Sequence, residues 1–448
     1  MNAPHRFELP ERSRLEPVVL GALERAKRAG ATQSEADVSE SRGLSVSVRK
    51  GEIDTVEFHH DRGLSVTVFF GQRSGSASTA DTTERGLAQA VDAACAIAQA
   101  SGDDPCSGLA DPARMATQFP DLDLDHAWPL GTDEAIERAR ATEAAALAVD
   151  ARITQSEGAS VHTSRGIELY ANSHGFVGER RGANHYVSCA VIAVDGEEMQ
   201  RDDWYTSGRH PGDLEDVAQV GRRAGERAVA RLGSRGLSTR TAPVLFTPDA
   251  AKSLFGHLLA AISGGALYRR ASFLLDHAGR EVFAPLVTLR EDPFIRRGAG
   301  SAAFDGEGVA TQRRVLVDAG VLQGYLLGSY SARKLGLQST GNAGGVHNLV
   351  VQPGTKGFDD LVRDMGEGLV VTELMGQGVN TVTGDYSRGA AGFWVERGAI
   401  AFPVEEITIA GNLAQMYRSI RALGSDVDVR SGIRTPSVLI EPMTIAGQ

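Results

Sequence analysis

Lysine is nearly missing from this 448-residue chain. Lys27, Lys50, Lys252, Lys334 and Lys356 are its only lysines, so almost all positive charge is arginine. Acidic residues outnumber basic ones, 57 to 46, for a formal net charge of −11. That balance argues against a dedicated nucleic-acid binder, whose affinity would rest on Lys and Arg neutralising phosphates. Cysteine is also sparse. Cys95, Cys106 and Cys189 are an odd number with no CxxC spacing, which excludes a disulfide framework and a zinc ribbon as readings. No apolar run approaches the roughly 18 residues of a membrane span. The opening Met1-Asn2-Ala3-Pro4-His5-Arg6 leads into charged sequence without the apolar core of a signal peptide. The expected location is the cytoplasm.

The common catalytic signatures are absent too. An H-E-x-x-H helix works because two histidines one turn apart face one metal while the glutamate acts as base. No such pair occurs. His59 and His60 are adjacent, so in a strand they point to opposite faces. His162, His174 and His185 fall in turn-rich sequence, and His257, His277 and His347 are isolated. The Gly clusters at 263–265, 341–345 and 375–378 lack the strand–GxGxxG–helix context and any GK[ST] ending, so they read as turns or close packing. No Gly-x-Ser-x-Gly elbow is present.

Glycine is plentiful at 52 residues, and 42% of the chain is hydrophobic, which suits a soluble, sheet-rich, multi-domain protein with a real core. Periodicity predicts an N-terminal α+β unit. A helix over 15–29 ends at Gly30, strands follow over 44–48, 56–58 and 64–69 with turns at Gly51 and Gly63, and a helix opens at Thr83 with Cys95 on its buried face. Residues 101–131 collapse into Asp, Pro and Gly, a linker or draped loop. A second unit repeats the plan: a helix over 132–149, strands over 160–163, 166–170 and 187–194, and a helix over 214–232. With the echo of Asp61-Arg62-Gly63-Leu64 in Ser164-Arg165-Gly166-Ile167, this suggests a duplication. Beyond a Gly/Ser/Thr/Arg stretch at 233–241 comes a strand over 244–246 and a helix over 248–262 with Pro in its first turn. Gly-punctuated strands fill the rest. The expected class is α+β, with domains at 1–105, 106–238 and 239–448, the last mostly β with one important helix. Residue chemistry alone stops at that acidic multi-domain protein.

Five long runs resemble a known family. They are residues 327–337 (Leu-Gly-Ser-Tyr-Ser-Ala-Arg-Lys-Leu-Gly-Leu), 341–348 (Gly-Asn-Ala-Gly-Gly-Val-His-Asn), 371–379, 383–396 and 407–413. They resemble the PmbA/TldE branch of the TldD/PmbA family, the U62-type peptidases that also carry a modulator-of-DNA-gyrase label. The resemblance implies a two-subunit metalloprotease in which the TldD-type subunit holds zinc with an H-E-x-x-x-H helix and a C-terminal Cys. It places the corresponding ligand positions near Gly256 and Ala260 or Ala261, and the base near His257 or Leu258. The region matching the Cys, 431–437, has none. The expectation is therefore a non-catalytic subunit that binds no cofactor itself. It would pair with a zinc-bearing TldD-type partner, or with itself when alone, around a chamber for unfolded peptides. Gly376, Gly378, Asp385, Tyr386, Ser387 and Arg388 are candidates for chamber wall or dimer contact, and Asp385 with Arg388 a candidate ion pair. Two other readings stay open: an active metallopeptidase using His257 with His277 or His347 and a carboxylate, and a protein-binding modulator.

Overall fold

The computed structural model describes residues 8–447, and with 25% helix and 40% strand the fold is α+β. Helix α1 (Arg12–Arg28) buries Leu15, Val19, Ala22 and Ala26 and gives way to Gly30 at φ +92°, a conformation that favours glycine. Strands β1 (Gln33–Arg49) and β2 (Glu52–Phe70) form a hairpin whose two-residue turn, Lys50 and Gly51, has positive φ at both positions. Then come β3 (Arg73–Thr79) and α2 (Glu84–Ala100), capped by the Thr83 side chain accepting from Gly86 N. The second unit follows the same order: α3 (Thr132–Leu147), β4 (Ile153–Asn172), β5 (Val177–Asp195), β6 (Glu198–Gly208) and α4 (Val217–Ala230).

Both units build one antiparallel sheet in the order β3-β2-β1-β4-β5-β6. The two α-β-β-β-α blocks meet through β1 and β4, so the strand order is symmetric about that pair. One expected turn, Gly63, is corrected, and Gly166 stands in a strand as expected. Gly63 and Gly166 lie inside long continuous strands, opposite Ser39 and Ser41 of β1. A Cβ on Gly63 would come 3.2 Å from Ser39 Oγ, so the glycine answers to a neighbouring strand. His162 and His185 likewise sit in mid-strand on β4 and β5, not in turns.

The sheet has two unlike faces. Ala36, Val38, Leu44, Val46 and Val48 of β1, with Leu64, Val66 and Val68 of β2, point to the helices and form the core there. Buried Cys95 and Cys189 belong to this side, and both are free thiols. Helices α3 and α4 approach through Gly221, where a Cβ would lie 2.0 Å from Thr142 O. The opposite face carries Ser39, Ser41, Ser45 and Ser47, and among the described residues no helix of these two units packs on it. His59 and His60 separate as expected. His59 joins Ser45 on the helix-free face, and His60 reaches the buried Glu40.

The C-terminal part opens with β7 (Arg240–Phe246), α5 (Pro248–Ala261) and α6 (Gly264–Tyr268), then β8 (Leu289–Glu291), β9 (Arg314–Asp318), β10 (Val321–Leu322), α7 (Ser329–Leu335) and β11 (Leu349–Val351). It continues with α8 (Phe358–Met365), β12 (Gly368–Met375), β13 (Asp385–Glu396), β14 (Ala399–Asn412), α9 (Leu413–Arg418), β15 (Ile420–Leu423), β16 (Ile433–Arg434) and β17 (Val438–Ala446). The order β14-β13-β12-β7-β17 closes on itself, because Thr444, Ile445 and Ala446 of β17 pair back onto Ala410, Ile409 and Thr408 of β14. Closure removes most free edge. Val244, Phe246, Leu369 and Val371 point inward against α5, whereas Leu245, Val370 and Leu439 point outward under α8. Helix α5 is the longest in this part, and four short helices accompany it.

The loop at 101–131 drapes over the junction. Arg333 Nη1 donates to the carbonyls of Cys106 at 2.8 Å and Gly108 at 2.9 Å, and Ala116 N donates to Gly308 O at 2.9 Å.

Candidate functional site

Helix α5 follows Thr247 at its N-cap, takes Pro248 in its first turn, and buries Leu254, Phe255, Leu258 and Ala261 in the barrel core. Its opposite face is open. Nothing lies within 4 Å of a Cβ built on Gly256, and Ala260, one turn on, is exposed. Ala261 is fully buried. Of the positions that the resemblance marks as ligands, Gly256 and Ala260 therefore share the accessible face, and neither side chain carries a donor atom.

His257 is one residue round from that face and only partly exposed. Its Nε2 is enclosed and has no hydrogen-bond partner among the described residues. The ring meets Tyr386 of β13 edge-on, with centroids 6.1 Å apart at 76°. Tyr386 is 2% exposed, and its hydroxyl also lacks a partner among the described residues. Burial and the nearby Arg388 charge push the His257 imidazole below its usual pKa. Burial raises the Tyr386 phenol, and Arg388 opposes that shift. Both rings are thus uncharged at neutral pH.

Strand alternation sorts the remaining candidates. Tyr386 faces inward beneath α5, and Arg388 follows it at the two-residue period, whereas Asp385 and Ser387 are exposed. The expected Asp385–Arg388 pair does not form, since residues three apart on a strand face opposite ways. Asp385 accepts from Thr383 Oγ1 at 2.6 Å and Asn412 Nδ2 at 3.3 Å, which holds its carboxyl below the usual range. Arg388 donates from Nε to Met375 O at 3.0 Å, and among the described residues no carboxylate comes within 4.0 Å of its guanidinium. Gly376, at φ +76°, and Gly378 form the turn beside this strand. Ser387 N donates to Gly378 O at 2.7 Å, and a Cβ on Gly378 would lie 2.1 Å from Ser387 O.

A charged network that single residues did not reveal anchors the start of α5. Lys252 Nζ lies 2.9 Å from Asp249 Oδ1 and 2.5 Å from Asp428 Oδ2. Arg430 Nη2 reaches Asp249 at 2.9 Å and Asp428 at 2.7 Å, and its guanidinium stacks over Trp204 and Tyr205. Burial works against the Asp428 carboxylate, but bonds from Arg430 and Lys252 outweigh it and pull its pKa far below the usual range. These groups come from three distant stretches of chain, so no local spacing announces them. Nearby, Ser437 is fully buried and donates to Asp426 Oδ2 at 2.6 Å.

The helix-free sheet face reaches this region through Tyr205, which is stacked on Tyr186. On that face Ser45 Oγ bonds both His59 Nε2 at 2.9 Å and His162 Nδ1 at 2.8 Å. A cleft of about 620 Å³, lined by Phe119, Arg180, Arg209 and Phe304 among others, takes no residue from α5 or β13.

The donor set does not fit a zinc ion on α5. Asp249 and His257 are its only His, Cys, Asp or Glu residues, and Asp249 is held by Lys252 and Arg430. His277 Nδ1 bonds Leu275 O at 2.8 Å and His347 Nε2 bonds Gly341 O at 3.1 Å. Among the described residues no three His, Cys, Asp or Glu side chains are grouped to hold a metal, so His257, His277 and His347 form no ligand set.

Comparison with known proteins is consistent across the chain. Residues 34–98 match the family described as PmbA/TldA metallopeptidase domain 1, 125–232 its central domain and 239–447 its C-terminal domain. Metalloprotease PmbA of Escherichia coli O157:H7 is 48% identical over 440 residues, 98% of this chain and 97% of that protein. A metalloprotease PmbA homolog of Haemophilus influenzae is 46% identical over 434 residues, 97% of this chain and 96% of that one. The crystal structure of a putative modulator of DNA gyrase from Bacteroides thetaiotaomicron superposes with a TM-score of 0.93 at 29% identity, covering 97% of this chain and 99% of the other. TldE from Thermococcus kodakarensis shares the fold, with a TM-score of 0.84 at 22% identity over 96% and 99% of the two chains. Matched in all three domains and nearly end to end, this chain belongs to the PmbA/TldD metallopeptidase family.

Proposed function

We propose that this chain is the non-catalytic, PmbA/TldE-type subunit of a two-subunit cytoplasmic peptidase, and that its zinc-bearing TldD-type partner cleaves unfolded peptides. The observation that carries this reading is the accessible face of α5, where Gly256 and Ala260 stand in place of ligands. A catalytic zinc needs three protein ligands and a water whose pKa the metal lowers to about 7. Here two helical ligands are replaced by residues without donors, and no Cys follows Cys189. Loss of one ligand could be offset by a neighbour. Loss of the whole set points to a subunit retained for something other than hydrolysis.

Its contribution would be a wall of the peptide chamber. The serine-rich, helix-free sheet face suits that task, because short polar side chains leave room for a chain of any sequence. Backbone hydrogen bonds at a strand would give affinity without reading side chains.

Zinc content and peptidase activity of the purified chain, alone and mixed with a TldD-type subunit, test the reading. The expected result is a metal-free, inactive chain that raises activity only when a zinc-loaded partner is added. Stoichiometric zinc in the isolated chain, with hydrolysis that a chelator abolishes, overturns it.

A further inference from the structure

Strand β2 runs from Glu52 to Phe70 and pairs with β1 along its length. On its outer side β3 pairs only with Leu64–Phe70, and among the described residues no strand lies against 52–63. That leaves an edge about 40 Å long at the usual rise per residue. Its apolar side chains are in solvent, with Ile53 49% and Val56 37% exposed. The far end of the sheet gives a contrast. Strand β6 likewise pairs with only part of β5, from His185 to Asp195. There the chain covers the remaining stretch itself, because Ala183 N donates to Leu124 O at 2.8 Å and Arg180 Nη2 donates to Phe304 O at 3.2 Å.

A long open edge is a template for another strand, and folded proteins blunt it with lysine, proline or a covering element. Segment 52–63 has no lysine and no proline. Its one irregularity is a bulge at Asp54, near the hairpin turn. Charge is divided along it. Glu52, Asp54 and Glu57 precede Phe58, whereas His59, His60 and Arg62 follow it with Asp61. Arg62 shares Glu40 with Arg14 and Arg42, so that end holds positive charge to spare. Such a strand complements a second copy of itself laid antiparallel. With Phe58 opposite Phe58 of the second copy, Asp54 faces Arg62 and Glu57 faces His59. A shift of one residue sets Asp54 against Asp61 in one direction and Arg62 against Thr55 in the other. The gap also has the right length. The second strand spans 53–63, and its hairpin turn, Lys50 and Gly51, arrives where β3 takes over at Leu64.

We propose that two copies of this chain associate through the outer edge of β2, paired antiparallel over 53–63 about Phe58. The pairing joins two six-stranded sheets into one of twelve strands and adds on the order of ten backbone hydrogen bonds. Residues directly opposite in an antiparallel pair share a face. The helices of both copies therefore lie on one side, and the two serine-rich faces become continuous on the other. The two-fold uses each edge once, so assembly stops at a dimer. The inference holds whether or not a partner subunit carries zinc, and it places self-association away from the turn and strand at 376–388.

Sedimentation velocity of the full chain from about 1 to about 100 μM reads the association, and a dimer is expected. Phe58→Asp and Phe58→Lys should each weaken it at least about tenfold, because either charge meets its own copy on the two-fold axis. Any other surface would tolerate one of the two signs. Under mild oxidation Phe58→Cys should link to itself, since opposite Cα atoms in an antiparallel pair lie about 4.5–5.5 Å apart, within disulfide reach. Thr55→Cys, set against Asp61, should not link, and the native Cys95, Cys106 and Cys189 give the background. A chain that stays monomeric, or a dimer that survives both charges and gives no Phe58→Cys link, overturns the edge pairing. A dimer weakened by one sign alone assigns the edge to a different surface and overturns it too. Activation of a zinc-loaded TldD-type subunit is measured on the same preparations. Activation by a strictly monomeric chain leaves the subunit reading standing while the edge pairing falls.

Discussion

His257 and Tyr386 face each other edge-on across the α5–β13 contact, 6.1 Å between ring centroids, and each keeps a buried polar atom without a partner among the described residues. Leaving a buried hydroxyl unsatisfied costs roughly 1–3 kcal/mol. Tyr386→Phe removes that hydroxyl and leaves the ring packing intact. It should therefore raise the melting temperature or leave it unchanged, measured by thermal denaturation of the ligand-free chain. A clear loss of stability would mean that the hydroxyl is satisfied in solution.

Helix α5 offers a gain-of-metal experiment. Gly256→His with Ala260→His puts two imidazoles one turn apart on the open face, where a side chain at 256 meets no neighbour. The double variant should take up zinc or cobalt, read as metal retained after dialysis, while each single variant should not. Replacing a helical glycine should also favour the helix by up to about 1 kcal/mol. Failure to retain metal would place these two positions on divergent faces.

Asp428 gives a pH prediction. Arg430 and Lys252 outweigh burial and depress its folded-state pKa, so the carboxylate's contribution is present above the unfolded value of about 3.9 and is lost as pH falls below it. Unfolding free energy from urea titrations should drop below about pH 4. Asp428→Asn should flatten that drop, and it should cost roughly 3–5 kcal/mol at neutral pH by leaving buried cations unpaired.

His185 acts at higher pH. It is fully buried between Thr163 Oγ1 and the carbonyl of His126, and burial lowers its pKa to about 4. A group depressed on folding stabilises above its unfolded value and loses that contribution as pH falls towards the folded one. The window therefore runs from about 6.5 down to about 4, and the loss is about 3 kcal/mol. Urea midpoints across that range should fall in the native chain and stay level in His185→Gln.

The turn at Gly378 should resist substitution. A Cβ there would sit 2.1 Å from Ser387 O, so Gly378→Ala must displace the strand that carries Tyr386 and Arg388. Stability should fall by about 1–3 kcal/mol, and peptide binding should weaken with it.

Features that depend on neighbours along the chain were legible in the sequence. The helices at 12–28, 84–100 and 248–261 follow from apolar residues at helical spacing, from the Thr83 cap and from Pro248 in a first turn. That α5 carries only Asp249 and His257 among His, Cys, Asp and Glu was equally legible, because a donor atom is a property of residue identity. Tertiary structure decided what depends on a partner strand. Gly63 looks like a turn until β1 lies beside it, since the same lack of a side chain permits a bend or a close approach. Asp385 and Arg388 look like an ion pair until the chain between them is extended and a period of two sends them apart. The Lys252–Asp428–Arg430–Asp249 network and the lone charge of Arg388 arise only in three dimensions, because hydrogen bonds and Coulomb forces depend on distance in space and not along the chain.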